Sequence, residues 1–573
     1  MILLIECALV ILAFLLALTF PRWNDWQQSL ERAFARLAYR RRNSILAVAG
    51  FALVTRVLLL PVLPVPEPAV HDEFSYLLMA DTFAHGRLSN PTHPMWVHFE
   101  TFHEIEKPTY ASMYYPAQGA VLAMGQVLGG HPFWGVWLSA GLMCAAVCWM
   151  LQAWVPPPWA LLGSFLLALR IGIFSYWMNS YWGGAVAAIG GALALGAVPR
   201  IVRQQRVRDV ILLGSGFAIL ATSRPYEGLF FSIPVVLLLL LWMKKPYSPR
   251  FRVLARNVVL PLACICVLTL AAMAYYCWRV TNSPLQTPFQ VDIATYNPVP
   301  YFPWQAVKAI PTYNHREIKL FYVGWWMQMY ELGRHHPIVL LFVKTCILWL
   351  FFIGFLFTLP LFALIFSLPS NFSLSQMRRS TRFLLLVCAC VLFGSLLPVY
   401  FNPHYAAPIT GAIYALLLIA MQNIRRWRPA GKPAGVALVR SVPLIAVMMF
   451  FLAGVPALRA SHVLQMATWY SPMVTHSYRA GIIRQLSRQS GRHLVLVRYA
   501  SDHSPVTEWV FNGADIDNSK IVWARDMGPA QNTELINYFR DRSIWLIEPD
   551  QVPPKLIRYA DPAASIFQTK AIP

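Results

Sequence analysis

Charge is scarce in this sequence. Only 13% of its 573 residues are Asp, Glu, Lys or Arg, against roughly 25% in soluble domains, and acids are the rarer sign, 25 against 47 basic residues. A water-soluble globular chain is excluded. The nine cysteines, Cys7 to Cys390, lie in or at the edge of hydrophobic stretches with no C-x-x-C pair outside them, so neither a disulfide framework nor a cysteine metal site is supported. No Gly-rich phosphate loop, internal repeat, or Ser/His/Asp or Cys/His signature is present, which removes a nucleotide fold and a covalent nucleophile. The first 20 residues lack a basic leader and a small-residue cleavage site. They read as an uncleaved anchor with its N-terminus outside.

Apolar residues are what abound, at 57% with a mean hydropathy of +0.50. Runs near 20 residues, enough to span a bilayer core of roughly 30 Å, cover 1–20, 44–63, 133–153, 158–178, 257–278, 339–366, 383–400, 404–424 and 441–460. The fold class predicted is mainly α and polytopic, with about 12–14 spans. The region 113–198 holds four candidates (117–128, 133–153, 158–178, 182–198) where the topology demands an odd number of crossings, so one is expected to be a half-span.

The net charge of +22 comes from short basic clusters between apolar runs, at Arg40–Arg42 and following Arg200, Lys244, Arg378 and Arg425. Such loops mark the cytoplasmic side, and nucleic-acid binding is not indicated. The N-terminus, 64–112, 279–338, a turn near 400 and everything beyond 460 then lie outside. Residues 22–42, with Trp23, Trp26, Leu30, Phe34 and Leu37 at helical spacing, read as an interfacial amphipathic helix or a basic stop-transfer flank. After residue 460, "HLVLVRY", "KIVWARD" and "SIWLIEP" alternate with helix-compatible segments such as "NTELINYFRDR", the pattern of a small α/β domain. Three parts follow: 1–43, an anchor with its basic segment; 44–460, the membrane domain; 461–573, an exterior α/β domain.

Within the membrane domain the acids are concentrated in the first exterior loop. "VHDEFSYLLMADTFAHG" reads as a short helix with Asp72 and Glu73 in its first turn, where the helix dipole favours negative charge. A carboxylate at the bilayer boundary can serve as base to a hydroxyl arriving from water; the plain alternative is a solvated surface acid. At the loop's other end, "EIEKPTYASMYYPAQG" places Lys107 where a lipid phosphate would lie, or where a snorkelling lysine would. Arg224 in "TSRPYEGL" falls between two apolar segments whose far ends are both basic, so it emerges outside as a phosphate ligand or as a partner for Glu227. Arg170 interrupts a span as a second candidate, with intramembrane pairing equally open. The adjoining "SYWMNSYWGG" reads as an interfacial aromatic belt. His93, His98 and His103 recur five apart, not at the i, i+4 spacing of two ligands on one helix face. A divalent metal held by some of them with Glu100, Glu104 or Glu106 stays open beside ordinary loop histidines.

An exterior loop opening with "DE" and closing with "EKP", followed by many spans and a terminal exterior domain, resembles the GT-C membrane glycosyltransferases. It is similar to the branch of protein O-mannosyltransferases and bacterial lipid A aminoarabinose transferases. The resemblance implies inverting sugar transfer from a polyprenyl-phosphate carrier to a hydroxyl or phosphate on a lipid, glycan or protein acceptor. It implies Asp72 as general base, Glu73 beside it, Glu106 as a second acid and Lys107 as donor-phosphate ligand; His404 and Tyr405, at an exterior turn where related enzymes place polar groups, read as substrate-facing or as a plain turn, and Tyr110 in the loop is a further substrate-facing candidate. No cofactor is required, and the expected site is the exterior face of a bacterial inner or plasma membrane. The chain departs from the pattern in its extra N-terminal anchor, in "EKPT" for "EKPP", and in its histidine-rich loop. A transporter or flippase of lipid-linked sugars would instead place ionisable groups at mid-membrane and show repeats, and an inactive scaffold would tolerate loss of Asp72.

Overall fold

The computed structural model describes residues 1–19, 26–245, 249–367, 374–458, 466–470 and 478–559. Nine helices among them are long and apolar enough to cross a membrane: Ile2–Thr19, Phe133–Trp154, Ala185–Gln204, Pro225–Met243, Phe251–Thr281, Pro337–Ile365, Arg379–Leu396, Pro403–Ile424 and Ala434–Ala453. The protein is therefore a mainly helical, polytopic chain, with fewer full-length spans than the 12–14 expected. The shortfall has physical causes. Arg41–Leu58 carries three arginines, Val207–Ser223 has 17 residues, and Pro157–Gly172 is apolar but short. Pro116–Gly129, with 14 residues, rises about 21 Å, which makes it the half-span of the 113–198 region. Trp26–Tyr39 is helical, whereas Trp23 of the expected amphipathic segment lies outside the described residues.

Small residues let the helices close on one another, as they do where apolar surfaces meet within a bilayer. Ala185–Gln204 and Val207–Ser223 cross at Gly190 and Gly216; a Cβ on Gly216 would meet the Gly190 carbonyl oxygen at 2.6 Å. One stretch of the interior is not helical. Residues 173–184 form turns and bends, and Tyr176, Trp177, Tyr181 and Trp182 within them are all buried, not displayed as an interfacial belt. Side chains take the place of the missing helix bonds: Asn179 Nδ2 donates to the Ile173 and Ser175 carbonyls, Gln118 Nε2 to that of Tyr181, and Arg56 Nε to Asn179 Oδ1. Irregular backbone is tolerated at this depth only when buried and paired in this way.

The C-terminal segment folds as a four-stranded sheet in the order β4-β3-β5-β6. Here β3 is Arg492–Val497, β4 Ile521–Arg525, β5 Arg542–Glu548 and β6 Lys555–Arg558; β1 (Glu104–Ile105) and β2 (Ala111–Ser112) form a separate antiparallel pair. The central strands β4, β3 and β5 are parallel and β6 antiparallel. Helices Tyr478–Ser487 and Pro529–Tyr538 accompany the sheet. Its apolar face is completed by the 64–112 loop: Leu78, Phe99 and Tyr110 share one core with Leu494, Leu496, Val522, Ala524 and Leu546. The two sequence regions that stand apart from the apolar runs thus meet in space.

Candidate functional site

The helix His71–Ala84 begins as its sequence predicts, with Asp72 and Glu73 in the first turn. The two acids have different surroundings. Glu73 is buried; its Oε2 accepts from the backbone of Ala69 (2.7 Å) and Val70 (3.2 Å), and its Oε1 from Tyr181 N (3.0 Å). Burial pushes its carboxyl up to about 7 against the pull of those amides. Glu73 therefore clasps the helix start to the irregular 173–184 segment. Asp72 is half-buried: its Oδ1 accepts the Tyr114 hydroxyl proton, and its Oδ2 has no hydrogen-bond partner among the described residues.

The "EKP" stretch is the tip of a hairpin. Glu104 pairs with Ser112 and Ile105 with Ala111, so the chain reverses across Glu106, Lys107 and Pro108. That reversal brings the hairpin's base to Asp72 and carries Lys107 away. Lys107 is exposed, with Nζ 4.2 Å from the centre of the Trp96 ring, and makes no ion pair with Asp72 among the described residues. Glu106 is buried with neither oxygen partnered among the described residues. Burial, then the charge of Glu100, raises its carboxyl well above the ordinary range, and burial does the same for Glu104 beside it.

Arg224 shares tyrosine neighbours with Asp72, both acting on Tyr76 and Tyr405. It caps the span Pro225–Met243, and its guanidinium lies 4.6 Å from the Tyr405 ring. Tyr76 stacks on Tyr114 at 4.5 Å. Tyr76 and Tyr405 each feel the charges of Asp72, Arg224 and Glu227. The Arg224 guanidinium makes no hydrogen bond or ion pair among the described residues. The charges of Arg224 and Glu227 act on each other, and Asp72 and Arg224 border one tyrosine-lined space, formed by the loop helix, the hairpin base and the ends of two spans. Of these residues, Tyr76 and Tyr114 are not among the candidates drawn from sequence; Tyr76 lies one helical turn beyond Asp72 in "DEFSY", and "SMYY" immediately before the next helix was the signal of Tyr114.

The other candidates lie elsewhere. Arg170 is buried, with Nη1 3.4 Å from Glu6 Oε1 and its guanidinium between Phe357 and Trp469. His404 Nδ1 bonds the Tyr176 hydroxyl at 2.8 Å, while Tyr110 reaches toward Glu104 and the Asn512 carbonyl. The three spaced histidines separate: His93 meets Asp517 at 3.1 Å, His98 the Arg525 carbonyl at 3.2 Å, and His103 the Tyr114 hydroxyl at 2.8 Å. Among the described residues, no group of three or more His, Cys, Asp or Glu side chains is placed to hold a metal ion.

The α/β segment roofs this end of the bundle. Phe511 stacks on Phe74 at 4.1 Å, Ala514 N donates to Asp81 Oδ2 at 2.8 Å, and Arg525 joins the Glu100 carbonyl (2.9 Å) to Glu508 (2.6 Å). Burial lowers the pKa of His71 and of His103 in the same layer.

No protein-family model matches the chain, and no curated protein matches it. Solved structures do resemble it at low identity. ArnT from Cupriavidus metallidurans bound to undecaprenyl phosphate superposes with a TM-score of 0.48 at 11% identity, covering 92% of this chain and 95% of that one. The Archaeoglobus fulgidus oligosaccharyltransferase AglB, in complex with an inhibitory peptide and a dolichol-phosphate, gives 0.43 at 12% identity, covering 89% and 69%. In its apo form that enzyme gives 0.42 at 12% identity, covering 80% of this chain, which spans 62% of the archaeal one.

Proposed function

We propose that this protein transfers a sugar from a polyprenyl-phosphate carrier to a hydroxyl or phosphate acceptor at the exterior face of the membrane, inverting the anomeric carbon. The observation that carries the reading is that Asp72, with a free carboxylate oxygen, and Arg224, on which the charge of Glu227 acts but which makes no contact ion pair among the described residues, border the same tyrosines. Asp72 takes the proton of the acceptor as its oxygen bonds to the anomeric carbon. The bond from that carbon to the carrier's phosphate oxygen breaks, and its electron pair leaves with the phosphate. Arg224 meets the charge that develops there, a group placed to act more strongly on the transition state than on the bound donor. A phosphate leaving group makes no demand for a covalent enzyme nucleophile.

Phosphate binding thereby moves from Lys107, on the exposed hairpin tip, to Arg224. Glu73 acts as the clasp that sets the height of Asp72, and the roof of residues 478–559 excludes bulk water from the space beneath it. The exterior orientation follows from the basic clusters at the opposite ends of the spans.

The test uses purified full-length protein in lipid nanodiscs. A polyprenyl-phosphate-linked hexose serves as donor, an extract of envelope glycans and lipids as the acceptor pool, and release of polyprenyl phosphate is followed. Loss of release in Asp72→Asn and Arg224→Gln supports the proposal. Unchanged release in Asp72→Asn removes the base, and movement of donor between leaflets without release makes the protein a transporter.

A further inference from the structure

His103 is the non-glycine residue of the first exterior loop held at positive φ, at +62°. A side chain pays for that conformation, and such residues persist where the surroundings over-determine them. Here they do. The His103 carbonyl accepts from Ser75 Oγ at 2.6 Å and from Met113 N at 3.1 Å, and Ser75 also bonds Ser112 Oγ at 2.7 Å. The His71–Ala84 helix and both arms of the hairpin thus converge on one residue. Its ring lies against Tyr114, with Nδ1 2.8 Å from the hydroxyl that also contacts Asp72 Oδ1.

We infer that Tyr114 and His103 are positioning residues for Asp72, a two-link chain that holds the carboxylate by Oδ1 and leaves Oδ2 directed at the acceptor. The inference rests on the transferase reading and deepens it.

Proton counting fixes the direction of the chain. A carboxylate only accepts, and a tyrosine hydroxyl has one proton to give. If Tyr114 donates to Asp72, the proton between Tyr114 and His103 must sit on His103 Nδ1. The other ring nitrogen supports this: Nε2 is buried without a partner among the described residues, and a bare acceptor is left unpaired at lower cost than an N–H. Burial lowers the ring's pKa, in keeping with a neutral Nδ1–H tautomer. Tyr76, Phe321 and His71 pack around the pair and block other orientations. The links do not carry the acceptor's proton away, because Nδ1 is already occupied; they hold the base in place.

Two measurements test this on the full-length protein in nanodiscs. In the first, histidine ¹⁵N spectra of the protein and of His103→Gln identify the His103 signals. The expected result is a neutral ring protonated at Nδ1 whose Nδ1 resonance moves in Tyr114→Phe; a ring protonated at Nε2 overturns the chain whether or not transfer has been detected. In the second, hexose transfer by Tyr114→Phe is expected to fall about 10–100-fold in kcat with KM for the polyprenyl-phosphate-linked hexose unchanged, the signature of a displaced catalytic group. His103→Leu should fall similarly, and His103→Gln, which keeps an N–H donor, should recover part of the loss. Equal kcat in Tyr114→Phe, or equal loss in both His103 variants, overturns the inference while leaving Asp72 as base; an active Asp72→Asn, or movement of donor without release, overturns the parent reading.

Discussion

Arginines buried inside the bundle and the arginine at its roofed end keep different company. Arg56 spends its guanidinium on Asn179 Oδ1 (3.0 Å) and the Leu63 (2.8 Å) and Pro64 (3.0 Å) carbonyls. Arg170 is paired with Glu6, whose Oε1 also accepts from Leu356 N at 3.3 Å, just past the helix break at Gly354. These two cations close gaps in the backbone and in the charge balance. Arg224 does neither. A charge in an apolar setting is costly unless it is compensated; the charge of Glu227 acts on Arg224, yet the guanidinium, 4.6 Å from the Tyr405 ring, keeps its N–H donors for an arriving anion. The contrast separates cations that hold the fold from one available to a substrate.

The sharpest way to break that contrast is Asp72→Asn. Transfer should drop about 10²–10⁴-fold, the usual contribution of a general base, while the unfolding temperature stays within a degree or two of the parent; a loss of folded protein instead would put Asp72 among the structural groups. Arg56→Met should do the opposite. Stranding Asn179 and two carbonyls is expected to cost about 1–3 kcal/mol for each buried acceptor left unpaired, read as loss of folded protein on size exclusion. Arg224→Gln should lower transfer about 10²–10³-fold, the effect of removing one oxyanion-stabilising donor, with stability unchanged. If stability falls with it, Arg224 belongs with Arg56.

The smallest effect concerns the buried acids. The Glu106 carboxyl is raised by burial, so its contribution to stability is complete below the unfolded value near 4.5 and is lost as pH climbs through the folded value. Glu106→Gln, neutral at every pH, should leave the unfolding temperature unchanged at pH 5 and raise it by a few degrees at pH 8. The buried His71 and His103 act with the opposite sign, stability being lost as pH falls through the unfolded value near 6.5.

Much of this architecture was legible in the sequence because apolar runs and alternating strands are written locally. The β3, β4 and β5 segments were visible in "HLVLVRY", "KIVWARD" and "SIWLIEP", and the emergence of Arg224 beside the loop followed from basic flanks alone. The hairpin was not visible. With two residue pairs it carries no periodic signal, yet it decides which end of "EIEKPTYASMYY" meets Asp72, and it exchanges Lys107 for His103 and Tyr114. The histidines were opaque for another reason: His93 and His98 are satisfied by Asp517 and Arg525, 424 and 427 residues away. The burial of "SYWMNSYWGG" depended on partners as distant as Arg56 and Glu73.

That distance has a consequence for how the protein is made. Leu78, Phe99 and Tyr110 need the C-terminal sheet to cover them, and the loop leaves the ribosome long before the sheet exists. With His93 and Asp517 424 residues apart, synthesis at about 5–20 residues per second leaves the loop uncovered for roughly 20–85 s. During that interval the loop's greasy, acid-bearing surface stays uncovered, so a folding helper at that end of the bundle would find its client before the last strands are translated.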